Sequence, residues 1–269
     1  MRTALLVEYD GSQYHGWQAQ AGLKTVQGVL EQALSKVADN EIGVVAAGRT
    51  DTGVHATHQI VHFDCDKRRT MQAWIHGVNS FLPKDVCIRW AKEMPENFHA
   101  RYSALSRRYH YVIFNAAVRP ALFRSYMTWQ YRQLNVHAMQ EAAQHLLGEQ
   151  DFTSFRSIDC QSKTPKRHIY RMQVTRRESM VVIDVTANAF LHHMVRNIAG
   201  VLMTIGTEKK PVPWVKEVLE AKDRRLGAET APPYGLYLVG VAYPKEFGIS
   251  RTYTNSHWTF DLRNHHDHK

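Results

Sequence analysis

Apolar residues recur along the chain with two different periods. Val26, Leu30, Leu34 and Val37 follow a helical spacing that predicts a helix over residues 25–37, with Thr25 as its N-cap. Further helices are predicted over 71–81, 136–147, 190–205 and 214–221, with Gly148 placed to end the second of these four. Extended runs lie between them, at 2–8, 44–47, 60–65, 85–90, 107–114 and 236–241. Residues 170–175 and 181–185 are spaced as a hairpin, and in 60–65 the residues Val61, Phe63 and Cys65 share one face. Residues 9–24, rich in Gly, Gln and aromatics, carry no period and read as a loop. Interleaved strands and helices with hairpins among them predict an α+β fold with mainly antiparallel or mixed sheet. The order strand, helix, strand, strand occurs near the start and more roughly after Val136. Two related α/β halves flanking a cleft fit that order: residues 1–105, then 106–246 completing the cleft, then a polar tail of 247–269.

Composition narrows the class. The 269 residues are 44% apolar, enough for a packed core. The formal charge is +9, which favours an anionic partner, nucleic acid or an anionic membrane. The early apolar stretch from Ala4 to Val7 is too short for a signal-peptide core, and no apolar run approaches the ~18 residues of a spanning helix. Cys65, Cys87 and Cys160 are far apart and form no Cys-x-x-Cys pair, so they read as reduced thiols of a cytoplasmic protein. The tail ends in His265, His266 and His268, most simply a frayed terminus.

Four segments could carry chemistry. In Gly48-Arg49-Thr50-Asp51-Thr52-Gly53-Val54-His55-Ala56, two glycines bracket Arg49 and Asp51 between two predicted strands. Such a loop can hold an acid and a base in fixed relation. An ordinary strand connection capped by Asp51 would look the same. In Arg107-Arg108-Tyr109-His110-Tyr111 basic and aromatic residues interleave, with Arg107, Tyr109 and Tyr111 on one face. That suits RNA, although cross-strand aromatic packing accounts for it equally. In the predicted helix 190–205, Arg196 lies almost opposite the apolar stripe, either solvated or facing a cleft where it could pair with an acid. His192 and His193, adjacent on that helix, are expected to diverge and make no metal pair. Lys163, Lys166, Arg167, Arg171, Arg176 and Arg177, with Lys67, Arg68 and Arg69, form either a phosphate-contacting surface or a solvated hairpin face.

Taken in order, five motifs resemble the bacterial tRNA pseudouridine synthase A family. They are Tyr9-Asp10-Gly11 with Gly16-Trp17-Gln18, the Gly48–Ala56 loop, Phe98-His99-Ala100-Arg101-Tyr102 with Arg108-Tyr109, Asp151-Phe152 with Phe155, and Phe190-Leu191 with His193-Met194-Val195-Arg196-Asn197. Tyr102 stands where the family often has phenylalanine, and Thr52 replaces a common alanine. The resemblance covers 1–243 and implies the pseudouridine synthase fold, with two α/β halves per subunit around a basic cleft. It implies isomerisation of uridine at positions 38, 39 and 40 of the tRNA anticodon stem-loop, by a homodimer with no metal or organic cofactor. Within it Asp51 is the nucleophile, Tyr109 stacks on the base and transfers a proton, Arg196 pairs with Asp51, and Arg49 flips the base. Substrate contacts are expected from Tyr109, His55, Arg107, Arg108, Lys163, Lys166, Arg167 and Arg171. Two alternatives stand beside this reading. One is a nucleoside or glycoside hydrolase using Asp51, for which Asp10 would be the second carboxylate. The other is an RNA-binding protein without catalysis.

Overall fold

A computed structural model describes residues 1–249. The segment 250–269, with its histidines, lies outside the described residues. The strands are β1 Arg2–Tyr9, β2 Val45–Ala46, β3 His55–Asp64, β4 Val86–Met94, β5 Ser106–Asn115, β6 Thr128–Gln130, β7 Gly148–Asp151, β8 Lys166–Arg177, β9 Met180–Ala187 and β10 Leu236–Ala242. The α-helices are α1 Val26–Ala38, α2 Val78–Phe81, α3 Val136–Gln144, α4 Met194–Gly206 and α5 Trp214–Ala221. A π-turn, Ala73–Gly77, runs directly into α2.

The ten strands make one mixed sheet in the order β4-β1-β3-β10-β5-β9-β8-β7, with β2 on β3 and β6 on β5. Pairings are antiparallel except β3 with β10 and β5 with β6. Strands β1 to β4 come from residues 1–105, and β5 to β10 from 106–246. The two sets join where β3 meets β10, through the partners Tyr237↔His55 and Leu238↔Ala56. A single sheet therefore crosses the 105/106 boundary, and the join falls at the start of β3, just after the Asp51 loop.

Local sequence accounts for most elements. Thr25 Oγ1 accepts from Gly28 N at 3.3 Å to start α1, and Asp39, left-handed at φ 51°, ends it. Val26, Leu30, Ala33, Leu34 and Ala38 form its buried face. In β1, residues 3–7 are all buried, so side chains are covered on both faces. That explains why the segment reads as a continuous apolar run with no alternation. The hairpin β8–β9 is longer at both ends than expected, because polar residues on its outward side hide the strand ends from a hydrophobicity reading.

Two predicted helices need correction. The helix α3 stops at Gln144; residues 145–147 are turns, and Gly148, at φ 82°, opens β7. The helix α4 begins at Met194, four residues after the predicted Phe190. His193 is left-handed at φ 62°, which interrupts any helix at that point. The i, i+4 spacing of Phe190 and Met194 mimicked helical periodicity across a turn closed by Met194 N donating to Leu191 O.

Candidate active site

Asp51 lies in the turn between β2 and β3, and neighbouring elements hold that turn on several sides. Gln59 of β3 brackets Gly48: Oε1 accepts from Gly48 N at 3.3 Å and Nε2 donates to Gly48 O at 2.5 Å. The Tyr9 hydroxyl bonds Thr50 Oγ1 at 2.7 Å in a buried contact. Trp17 N donates to Thr50 O at 3.0 Å, and Val54 N donates to Asp51 O at 3.1 Å. Arg107 of β5 donates to Ala47 O from Nε at 3.2 Å and Nη2 at 2.9 Å.

Gly16 permits the close fit. Its φ is 82°, and a Cβ there would stand 2.8 Å from Thr50 O. Gly16→Ala is therefore expected to destabilise the protein by about 2–3 kcal/mol, through backbone strain and overpacking together. Urea denaturation checks this; a variant as stable as wild type would show that the contact relaxes without cost.

Three side chains from the segment around the start of α4 converge on the Asp51 carboxylate. Arg196 Nη1 donates to Oδ2 at 3.0 Å. His193 Nε2 lies 3.4 Å from Oδ2, and His192 Nε2 lies 3.4 Å from Oδ1. Arg196 is itself fixed, since its Nε donates to Ala231 O at 2.8 Å and its own carbonyl accepts from Ala231 N at 3.2 Å. Gly200, one turn along α4, lets this segment approach, because a Cβ there would meet Glu229 O at 2.1 Å.

The charges settle Asp51 in its ionised form. Burial alone pushes its pKa up, but His192, His193 and Arg196 outweigh that and hold it below the ordinary carboxylate value. The two histidines move in opposite directions. His192 is raised, chiefly by its contact with Asp51. His193 is lowered, chiefly by burial.

Tyr109, on β5, is 7% exposed and packs edge-on against Phe190 with ring centroids 5.0 Å apart. Burial drives its phenol pKa well above the ordinary value, so the hydroxyl stays protonated at neutral pH. The hydroxyl points toward the Asp51 loop, 3.6 Å from where a Cβ on Gly48 would be. Arg49 is exposed on the same loop.

The other expected contacts divide in two. Arg108, Lys163, Lys166 and Arg171 reach solvent, although Arg108 also grips Asp184 at 2.7 and 2.8 Å and Arg171 lies 3.7 Å from the same carboxylate. His55, Arg107 and Arg167 are turned inward and bonded to neighbouring groups. His55 is 2% exposed, with Nε2 2.9 Å from Ser125 O and Nδ1 3.1 Å from both Gly11 N and Asp10 Oδ1. Arg107 donates to the carbonyls of Ala47, Arg101, Ala104 and Asn188. Arg167 is buried and donates to Thr164 O, Lys166 O and Ser162 Oγ. Bonded to carbonyls in this way, the two guanidinium groups help to shape the site. Asp10 is likewise engaged, by His55, Ser12 N and Tyr126 Oη, and does not stand ready as a second acid.

A further correction concerns His192 and His193. They do not diverge as on a helix; both Nε2 atoms face Asp51, because residue 193 is left-handed and α4 starts after it. Their donor atoms and a carboxylate oxygen of Asp51 lie within 4.8 Å of one another, a set with the chemistry to hold a divalent ion. Sequence reading also passed over Gln59 as the clamp on Gly48. The available signal was a lone amide inside an otherwise buried strand, where a polar group needs a specific partner.

Fold and site together set one carboxylate, Asp51, among cationic and aromatic side chains near the seam of a mixed sheet. The chain belongs to the tRNA pseudouridine synthase family: the family model so described matches residues 5–103 and 142–244. A tRNA pseudouridine synthase A of Legionella pneumophila (strain Lens) is 71% identical over 249 residues, spanning 93% of this chain and 95% of that protein. The protein of that name from Alcanivorax borkumensis is 56% identical, over 92% of this chain and 93% of its own. The one from Pseudomonas aeruginosa is 53% identical, over 97% and 92%. The chain is thus an isomerase of the pseudouridine synthase type. Among the described residues, no helix is long and apolar enough to cross a membrane.

Proposed function

We propose that this enzyme converts uridine to pseudouridine at positions 38, 39 and 40 of the tRNA anticodon stem-loop, that the reaction depends on Asp51, and that it acts as a cytoplasmic homodimer. The observation that carries the reading is Asp51 itself, kept ionised in a half-enclosed turn by Arg196 and two histidines. An ionised carboxylate can attack ribose C1′ as the C1′–N1 bond breaks, the bonding pair leaving with uracil. It can equally take the C2′ proton to give a glycal. In the first route C5 of the turned uracil displaces the carboxylate from C1′, breaking the ester C–O bond. In the second, C5 bonds to C1′ as Asp51 returns the proton to C2′. In both the C5 proton is then lost and N1 gains a proton, so the isomerisation balances.

The target base must leave its stack, at a cost of a few kcal/mol. Arg49, exposed beside Asp51, is placed to hold the vacated site or the displaced phosphate. Lys163, Lys166 and Arg171 supply positive charge for the RNA backbone. Tyr109 offers a protonated hydroxyl and a ring edge beside the Asp51 loop, which favours proton transfer over open-face stacking.

The test is to map pseudouridine in tRNA incubated with the purified protein. New pseudouridine is expected within positions 38–40, and none elsewhere in the molecule. Modification confined to another arm of the tRNA would reject the positional assignment. Tyr109→Phe is expected to lower turnover by about 10²-fold with little change in tRNA affinity, the usual scale for a proton-transferring group. Full turnover in that variant would exclude the hydroxyl from the chemistry.

A further inference from the structure

We propose that His193 is a positioning residue for Asp51: together with Arg196 it fixes Oδ2 and leaves Oδ1 as the oxygen that meets the ribose. The proposal rests on the functional reading of Asp51 above and adds to it which oxygen reacts and what holds the other.

The backbone gives the first argument. His193 stands at the N-cap of α4, where the favoured residues are Ser, Thr, Asp or Asn in extended conformation with a side-chain cap. Here the residue is left-handed, at φ 62°, and its side chain makes no capping bond. A non-glycine residue in that region costs roughly 1–2 kcal/mol, and glycine or asparagine would relieve it. The strained geometry aims the imidazole at Asp51 and away from the helix end.

The second argument is the asymmetry of the carboxylate. Oδ2 is met by Arg196 at 3.0 Å and by His193 at 3.4 Å, through side chains that are 14% and 28% exposed. Oδ1 is met by His192 at 3.4 Å, through a side chain that is 41% exposed. An arriving nucleotide displaces the exposed partner more easily than the two embedded ones. His193 also lines a cavity of about 440 Å³ together with Ser157, Arg224 and Thr230.

The third argument is restraint. Arg196 donates to Oδ2 and the His193 ring sits 3.4 Å from the same oxygen, so the carboxylate is hemmed in on one side, and small misplacements of a reacting group are costly in rate.

The experiment compares His193→Gly and His193→Asn with wild type. Both replacements accept a left-handed backbone, so loss of the ring is separated from loss of the turn. His193→Gly is expected to melt at or above the wild-type temperature. Its kcat is expected to fall about 10²-fold while KM for tRNA stays within about threefold. The acid limb of kcat/KM should move to higher pH, because Asp51 has lost a neighbour that favours its charged form. Added imidazole should restore part of the rate by refilling the space beside the cavity. His193→Asn, with a shorter amide donor, should fall between the two. Turnover of His193→Gly within about twofold of wild type overturns the proposal. So does a loss of rate that tracks a lower melting temperature in both variants, with no shift in pH profile and no response to imidazole. Carbon-13 titration of the Asp51 carboxylate separates this idea from the functional reading. If wild type makes no pseudouridine, that reading fails; an Asp51 pKa unchanged by His193→Gly sinks the positioning role whatever the reaction is.

Discussion

Asp51→Asn is expected to reduce pseudouridine formation by at least about 10³-fold, equivalent to about 4 kcal/mol of transition-state stabilisation. The replacement keeps the size of the side chain and removes only its charge and nucleophilicity. Binding of tRNA should survive, because the solvent-facing cations Lys163, Lys166 and Arg171 are untouched. The charge lost is one that the surroundings work to maintain, since burial opposes it and His192, His193 and Arg196 restore it. Turnover by wild type should accordingly fall as pH drops through the depressed pKa of Asp51, below the ordinary carboxylate range. His192 reports the same coupling from the other side. Its pKa is raised by Asp51, so its share of the interaction is full below the ordinary histidine value and disappears as pH rises through the folded-state pKa. In Asp51→Asn that pKa should drop, which proton NMR of the imidazole can follow. Unchanged turnover in this variant would mean that the chemistry does not depend on Asp51. Release of free uracil by wild type would instead point to a hydrolase, a reading already weakened by the engagement of Asp10 with His55 and Tyr126.

Much of this arrangement was legible before any coordinates, but unevenly. Amphipathic helices such as α1 follow from spacing because a single buried face was recorded in the side chains. The Asp51 loop was conspicuous for its bracketing glycines, and Arg196 stood out as a charge on a mostly apolar helix. Distance was the part that remained hidden. Nothing local says that residue 196 meets residue 51, because the contact depends on β3 pairing with β10 and on the 228–231 segment lying against Gly200. The left-handed turn at His193 was hidden for a different reason. Hydrophobic periodicity reports which side chains are buried, and it is blind to the sign of φ at a single residue. The inward turn of Arg107 and Arg167 was hidden as well, because a count of basic residues treats a guanidinium bound to carbonyls like one in solvent. A count of charges therefore does not tell which cations are free to meet a partner.

Arg196→Ala should damage both activity and stability. The guanidinium serves two directions at once, Nη1 toward Asp51 Oδ2 and Nε toward Ala231 O. Removing it leaves a half-buried carboxylate short of its strongest donor and frees the 228–231 segment from one of its ties to α4. A fully buried pair broken in this way costs about 3–5 kcal/mol. With Asp51 at 22% and Arg196 at 14% side-chain exposure, solvent recovers part of that loss. The expected destabilisation is about 2–3 kcal/mol at neutral pH, or a Tm lower by about 5–10 °C for a chain of this size. Its pH dependence carries a definite sign. The depressed pKa of Asp51 contributes stability above the ordinary carboxylate value and loses it as pH falls through the folded-state pKa. The gap between wild type and Arg196→Ala should therefore narrow in acid, once Asp51 is protonated in both. Turnover should fall with it, and its acid limb should move to higher pH, since burial then acts on Asp51 with less opposition. Arg196→Lys should rescue little, because one ammonium cannot reach Asp51 and Ala231 with the fixed fork of a guanidinium. A variant with wild-type melting, or a stability gap that widens in acid, would mean that Asp51 owes its charge to something other than Arg196.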